Sequence, residues 1–109
     1  MFGTWCSCVV LLGVLMAPQE KGNTRAGSSS KGKELFEQCR GCHSAETDEK
    51  KVGPSLKGIF KRSRLRNGET VTERTVREKI DLGGDGMPAY SGVLSGNEKS
   101  DLIAYLKGL

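Results

Sequence analysis

Cys39-Arg40-Gly41-Cys42-His43 constrains what this chain can fold into more than any other stretch of its 109 residues. Two thiols three positions apart, followed directly by an imidazole, form the C-x-x-C-H pattern through which haem is attached covalently. The spacing has a mechanical reason. One helical turn sets the thiols at the separation of the two vinyl groups on one porphyrin edge. The next residue, His43, is then carried under the ring, where one imidazole nitrogen reaches the iron. The other nitrogen is free to donate to a backbone carbonyl, which fixes the tautomer.

Competing chemistries for the same residues are weaker. A structural zinc site needs four ligands, usually as paired knuckles. Outside the N-terminal segment only Cys39, Cys42 and His43 are on offer, and His43 is the single histidine. A thioredoxin-like pair wants a βαβ setting and has no use for the histidine. A disulfide between residues three apart on a helix is strained. Iron that transfers electrons also wants a second axial ligand. Of the 3 methionines, Met1 and Met16 lie in the N-terminal segment, so Met87 is the one candidate in the domain. It follows Gly83-Gly84-Asp85-Gly86 and precedes Pro88. Thioether is a soft donor that favours reduced iron and raises the potential.

The first residues read as an export segment. The run from Cys8 to Ala17 is apolar and free of charge, too short for a comfortable membrane span and suited to the hydrophobic part of a secretory signal. Thr24 and Ala26 place small residues where a signal peptidase reads, which puts cleavage after Ala26. The region before the run has no Lys or Arg, while Lys21 and Arg25 lie beyond it. This charge pattern leaves a second reading open, an uncleaved anchor retained in the membrane. Cys6 and Cys8 lie in this segment and match no lipoprotein cleavage box.

The rest is one small domain: residues 1–26 are signal or anchor, 27–31 linker and 32–109 the folded unit. A domain this small buries little apolar surface and profits from a staple, which a covalent haem would provide. Apolar residues make up 36% and charged residues 28%, as in a soluble globular chain. The pattern predicts an all-α fold of three to four helices joined by long loops. A first helix is expected over 31–42, with Leu35, Phe36 and Cys39 on one face. A turn follows at 53–56, where Pro54 denies the chain a helix, and one helical turn at 56–60. A second helix covers 70–82, capped by Thr70 or Thr72, with Val76 and Ile80 buried. The last starts at Ser95, which forms an S-x-x-E capping box with Glu98, and carries a stripe of Leu102, Ile103, Leu106 and Leu109. No strand pattern and no internal repeat are present.

Taken together, these marks resemble the class I c-type cytochromes, monohaem proteins of the bacterial type. The resemblance spans residues 32–109: the Gly32/Phe36 helix before C-x-x-C-H, the Gly53-Pro54-Ser55-Leu56 loop, the Met87-Pro88 loop, and a last helix with Leu102 and Tyr105. It implies a small cytochrome c fold around one covalent haem c, held by Cys39 and Cys42, with His43 and Met87 as axial iron ligands. It also implies that Pro54 packs on His43 and that its carbonyl accepts a hydrogen bond from the imidazole N–H, that Arg62 lies near a haem propionate, and that the first and last helices cross. One feature departs from the family. Two residues separate Phe36 from Cys39, where three are common. Either the helix turns by one position or Leu35 takes the aromatic's place at the crossing. No tryptophan stands near the propionates, since Trp5 is the only one.

The function implied is single-electron transfer between redox protein partners outside the cytoplasm, in the periplasm or anchored to the outer face of the cytoplasmic membrane. Such a carrier is not an enzyme. A ligand-binding or peroxidatic haem protein is disfavoured, because no distal His, Arg or Tyr is placed to handle a bound molecule. The net charge of +4 and the cluster Lys57, Lys61, Arg62, Arg64 and Arg66, which Lys50 and Lys51 could join, suit a partner with an acidic docking face. The bland alternative is a solvated loop. With 6% aromatics and no nucleic-acid motif, nucleic acid is not an expected partner. A membrane tether exists only if residues 1–26 are retained. Processing is directly checkable. Protein from a native-like exporter should have the intact mass of a chain starting at Gly27; a mass including residues 1–26, in the membrane fraction, would establish the anchor.

Overall fold

The computed structural model describes Gly3 and residues 26–109. The expected export segment, with Cys6 and Cys8, lies almost wholly outside them. Three α-helices, α1 (Ser29–Leu35), α2 (Glu73–Leu82) and α3 (Gly96–Lys107), are joined by loops that carry two short 3₁₀ turns, Phe36–Gln38 and Ile59–Lys61. Among the described residues there is no strand, only isolated bridges between Arg64 and Thr70 and between Gly84 and Met87. The fold is therefore all-α, as the sequence pattern predicts.

The helix ends follow from side chains that satisfy orphan backbone groups. Thr72, not Thr70, caps α2: its hydroxyl accepts from Thr75 N at 3.0 Å, and Thr75 Oγ1 accepts from Thr72 N at 2.9 Å. The Ser95/Glu98 capping box opens α3, with matching bonds of 3.1 and 2.9 Å. The first helix differs from its expected span of 31–42. It begins earlier, at Ser29, with Ser28 as cap, and ends at Leu35. From Phe36 the chain tightens to 3₁₀ geometry. The single helical turn expected at 56–60 appears later, at Ile59–Lys61.

That tightening resolves the spacing question. Phe36 is fully buried, and its ring lies 5.4 Å from that of Tyr105, tilted by 53°. Leu35 is only half-buried. Phe36 thus keeps the place at the crossing, and the backbone absorbs the missing residue. Three 3₁₀ steps advance the chain by about 6 Å, the same as four α-helical steps.

The α1–α3 crossing is a backbone-to-backbone contact. A Cβ on Gly32 would fall on the Asp101 carbonyl oxygen and within 2.7 Å of Tyr105 Cβ, and one on Gly27 would fall on the Ser100 carbonyl. Ser28 N donates to the carboxylate of the buried Asp101 at 2.7 Å, tying the start of α1 to the same part of α3. Helix α2 is aligned along α3 by polar contacts. Lys99 pairs with Asp81 at 2.6 Å, Lys107 pairs with Glu73, and Arg77 donates to Ser100 Oγ at 2.8 Å. Between the helices, Phe36, Ile59, Val76, Ile80, Leu102 and Leu106 form the centre of the core.

No side chain can enter the α1–α3 contact without moving one backbone. Gly32→Val should therefore lower stability by about 1–3 kcal/mol, the usual cost of overpacking, read as a lower denaturant midpoint with unchanged slope. An unchanged midpoint would mean the helices do not touch at this point.

Candidate haem-binding cleft

One cleft of about 670 Å³ opens between the helices and loops. That volume is in the range typical of small-molecule and cofactor sites. Its walls are mostly apolar and come from several parts of the fold: Phe36 from the first 3₁₀ turn, Leu56 and Ile59 from the loop around the second, Val76 and Ile80 from α2, Leu102 and Leu106 from α3. Cys39, Cys42, His43, Pro54 and Met87 all line it.

The C-x-x-C-H stretch enters the cleft as a turn rather than as part of a helix. Cys39 O accepts from both Cys42 N at 3.1 Å and His43 N at 3.0 Å, while Phe36 O accepts from Cys39 N at 2.8 Å and Arg40 N at 3.0 Å. Both thiols are free, Cys39 half-buried and Cys42 exposed. Burial, and then the neighbouring Cys42, push the Cys39 thiol up.

His43 is held from behind. Its Nδ1 donates to the Pro54 carbonyl at 2.7 Å, so the lone pair resides on Nε2. Gly53 makes this possible. A Cβ there would stand 2.8 Å from His43 Nδ1 and closer still to Cε1, so any larger residue would push the 53–54 backbone off the ring. Two further bonds fasten this segment alongside the motif: Gly53 N to Cys42 O and Leu56 N to Ser44 O, both 2.8 Å.

Met87 is presented by a two-residue turn. Gly84 N bonds Met87 O at 2.9 Å and Met87 N bonds Gly84 O at 3.0 Å. Asp85 (φ 54°) and Gly86 (φ 89°) between them are both left-handed, the requirement of a type I′ turn. Gly83 turns out of α2 at φ 63°, and a Cβ on it would meet the Met87 and Pro88 carbonyls.

Arg62 stands apart from the other predicted residues. Its Nη2 donates to the Ser55 carbonyl at 2.9 Å and the Lys57 carbonyl at 2.8 Å. It lines a smaller neighbouring pocket of about 280 Å³, together with Arg64 and Arg66. Arg66 and the wall residues Pro54, Leu56, Ile59 and Leu65 border both spaces.

Several lining residues escaped the sequence reading: Gln38, Val52, Asn67 and Lys79. Val52 could have been found, as an apolar residue in a charged loop; it is 76% exposed and lies beside the cysteines' turn. Nothing in the pattern of α2 singles out Lys79. Tyr90, also on the cleft, has its hydroxyl pushed up by burial and then by the Cys39 and Cys42 thiols.

The donor set fits a covalent haem. An apolar slot of suitable volume offers two thiols, an imidazole with its outer nitrogen already engaged, and a thioether. Among the described residues, no group of three or more His, Cys, Asp or Glu side chains is placed to chelate a metal ion by itself.

Comparison with known proteins points the same way. A family model described as cytochrome c oxidase, cbb3-type, subunit III matches residues 27–106. The chain is 31% identical to cytochrome c2 of Blastochloris viridis over 116 residues, covering 90% of this chain and 91% of that protein. In three dimensions it is similar to cytochrome c6 of the diatom Phaeodactylum tricornutum, with a TM-score of 0.59 and 26% identity, over 75% of this chain and 93% of the other.

Proposed function

This chain belongs to the cytochrome c family, whose members bind covalent haem c with iron, and from that premise we propose that it carries single electrons with His43 and Met87 as the axial ligands. The observation that carries the reading is the convergence of two thiols, one imidazole and one thioether on a single apolar cleft. Bound there, haem iron supplies a one-electron couple between Fe(III) and Fe(II).

The chain's own residues do the rest. Cys39 and Cys42 would hold the cofactor by thioether bonds. The Pro54 carbonyl keeps His43 in the tautomer that leaves Nε2 free for the iron. The Met87 thioether favours the reduced state. Leu56, Ile59, Val76, Ile80, Leu102 and Leu106 exclude water, so little solvent reorganises when the charge changes. Arg66 borders the cleft and Arg62 the adjoining pocket, so both would be available to pair with haem propionates.

Lys57, Lys61, Arg62, Arg64 and Arg66 are all exposed, and Arg66 also borders the cleft. We read this basic rim as the docking surface for an acidic redox partner. Among the described residues no helix is long and apolar enough to cross a membrane. We place the domain outside the cytoplasm, either free or tethered through residues 1–26. The description of the matching family model favours a second reading, in which the domain is a fixed subunit of an oxidase. Elution of the native protein as a lone small species decides for the carrier; co-purification with an oxidase decides for the subunit.

Two experiments test the proposal. Protein made with a haem-ligation system should keep its haem through acid–acetone extraction, and the oxidised form should be low-spin with a weak far-red sulfur-to-iron band. Met87→Ala should remove that band, lower the potential and admit azide quickly, whereas an unchanged spectrum would disprove Met87 ligation. Electron transfer to an acidic partner should slow as ionic strength rises through about 0.1 M, where screening limits charge interactions to about 10 Å. A flat salt dependence would return the basic segment to a solvated loop.

A further inference from the structure

The turn that presents Met87 has little to hold it. Gly83, Gly84, Asp85 and Gly86 are all left-handed, three of them without a side chain, and Asp85 is 97% exposed. Glycine backbones of this kind have the most conformational freedom to lose. Among the described residues, one side chain alone hydrogen-bonds to the backbone of residues 83–89. Lys79, in the last turn of α2, donates from Nζ to the Gly83 carbonyl at 3.1 Å and to the Gly84 carbonyl at 3.5 Å. The same ammonium lies 3.9 Å from the Asp85 carboxylate. The Lys79 side chain is 33% exposed and lines the cleft that Met87 lines.

We propose that Lys79 is a positioning residue for Met87: its ammonium latches the 83–86 turn onto the end of α2 and so fixes where the thioether stands. The inference rests on the proposal that Met87 binds the iron. Geometry and charge both support it. Gly84 O already accepts from Met87 N, so Lys79 binds the very carbonyl that closes the turn. A cation near the last carbonyls of a helix is favoured by the helix dipole. An ammonium donating to carbonyls makes a charge-assisted bond, stronger than a neutral one. By contrast, a lysine that merely pairs with the exposed Asp85 would contribute almost nothing.

Azide binding to the oxidised haem-loaded protein reports this directly, because azide enters as the thioether leaves. Losing one charge-assisted hydrogen bond, weakened by solvent at a side chain one-third exposed, should speed Met87 departure by about five- to tenfold. Lys79→Leu is therefore expected to bind azide five- to tenfold faster than wild type, with its far-red band intact at rest. Lys79→Arg, which keeps a cationic donor, should stay within about twofold of wild type. A general loss of helix stability would lower the unfolding midpoint of Lys79→Leu without rescue by arginine. The latch is overturned if Lys79→Leu binds azide at the wild-type rate, or if Lys79→Arg is as fast as Lys79→Leu. Met87→Ala is the control. If its spectrum is unchanged, the ligand assignment falls; if it changes while Lys79→Leu behaves as wild type, only the latch falls.

Discussion

The backbone contact between α1 and α3 is the constraint on which the rest of the structure depends. Because Gly27 and Gly32 have no side chain, α1 and the residues leading into it lie directly on the carbonyls of Asp101 and Ser100. This fixes where Phe36 is buried against Tyr105, and Phe36 in turn fixes where the chain leaves the helix. Three residues later comes Cys39. The position of the thiols is thus set from a crossing that contains no cleft residue except Phe36. The 3₁₀ turn at Phe36–Gln38 is the means by which a shortened spacer still delivers the cysteines to the same opening.

The two sides of the cleft are built on opposite principles. The His43 side is over-determined. A bond from Nδ1 to Pro54, two backbone bonds flanking Gly53, and a tight fit of Gly53 on the ring all act on one imidazole. The Met87 side is a short turn of left-handed residues closed by its own pair of backbone bonds and held by Lys79. Several contacts hold the imidazole on one side, whereas a single side chain fastens the methionine turn on the other, so the turn belongs to the less stable part of the fold. Helix α2 links the two, since it supplies Val76 and Ile80 to the wall and Lys79 to the turn, and is itself aligned on α3 by Asp81–Lys99 and Glu73–Lys107.

Much of this was legible in the sequence because it is local. The C-x-x-C-H spacing, the Ser95/Glu98 cap, the Val76/Ile80 pair and the glycines before Met87 each depend on residues within about one helical turn. Composition and periodicity alone determined an all-α domain with one histidine and one domain methionine to offer. Other features were decided only in three dimensions. Helix α1 ended at Leu35 rather than at Cys42 because Phe36 had to reach Tyr105, more than sixty positions away, and the backbone tightened to meet it. The choice between Thr70 and Thr72 was settled by the bridge that pairs Arg64 with Thr70 and leaves Thr72 to start the helix. Arg62 turned to the Ser55 and Lys57 carbonyls, which no spacing rule announces. Lys79 looks in sequence like any lysine on a polar helix face, and only the return of the chain at Gly83 brings two carbonyls under its ammonium. A sequence records which groups are available at a given spacing, whereas the partners they meet across long separations are set by the packing of the whole chain.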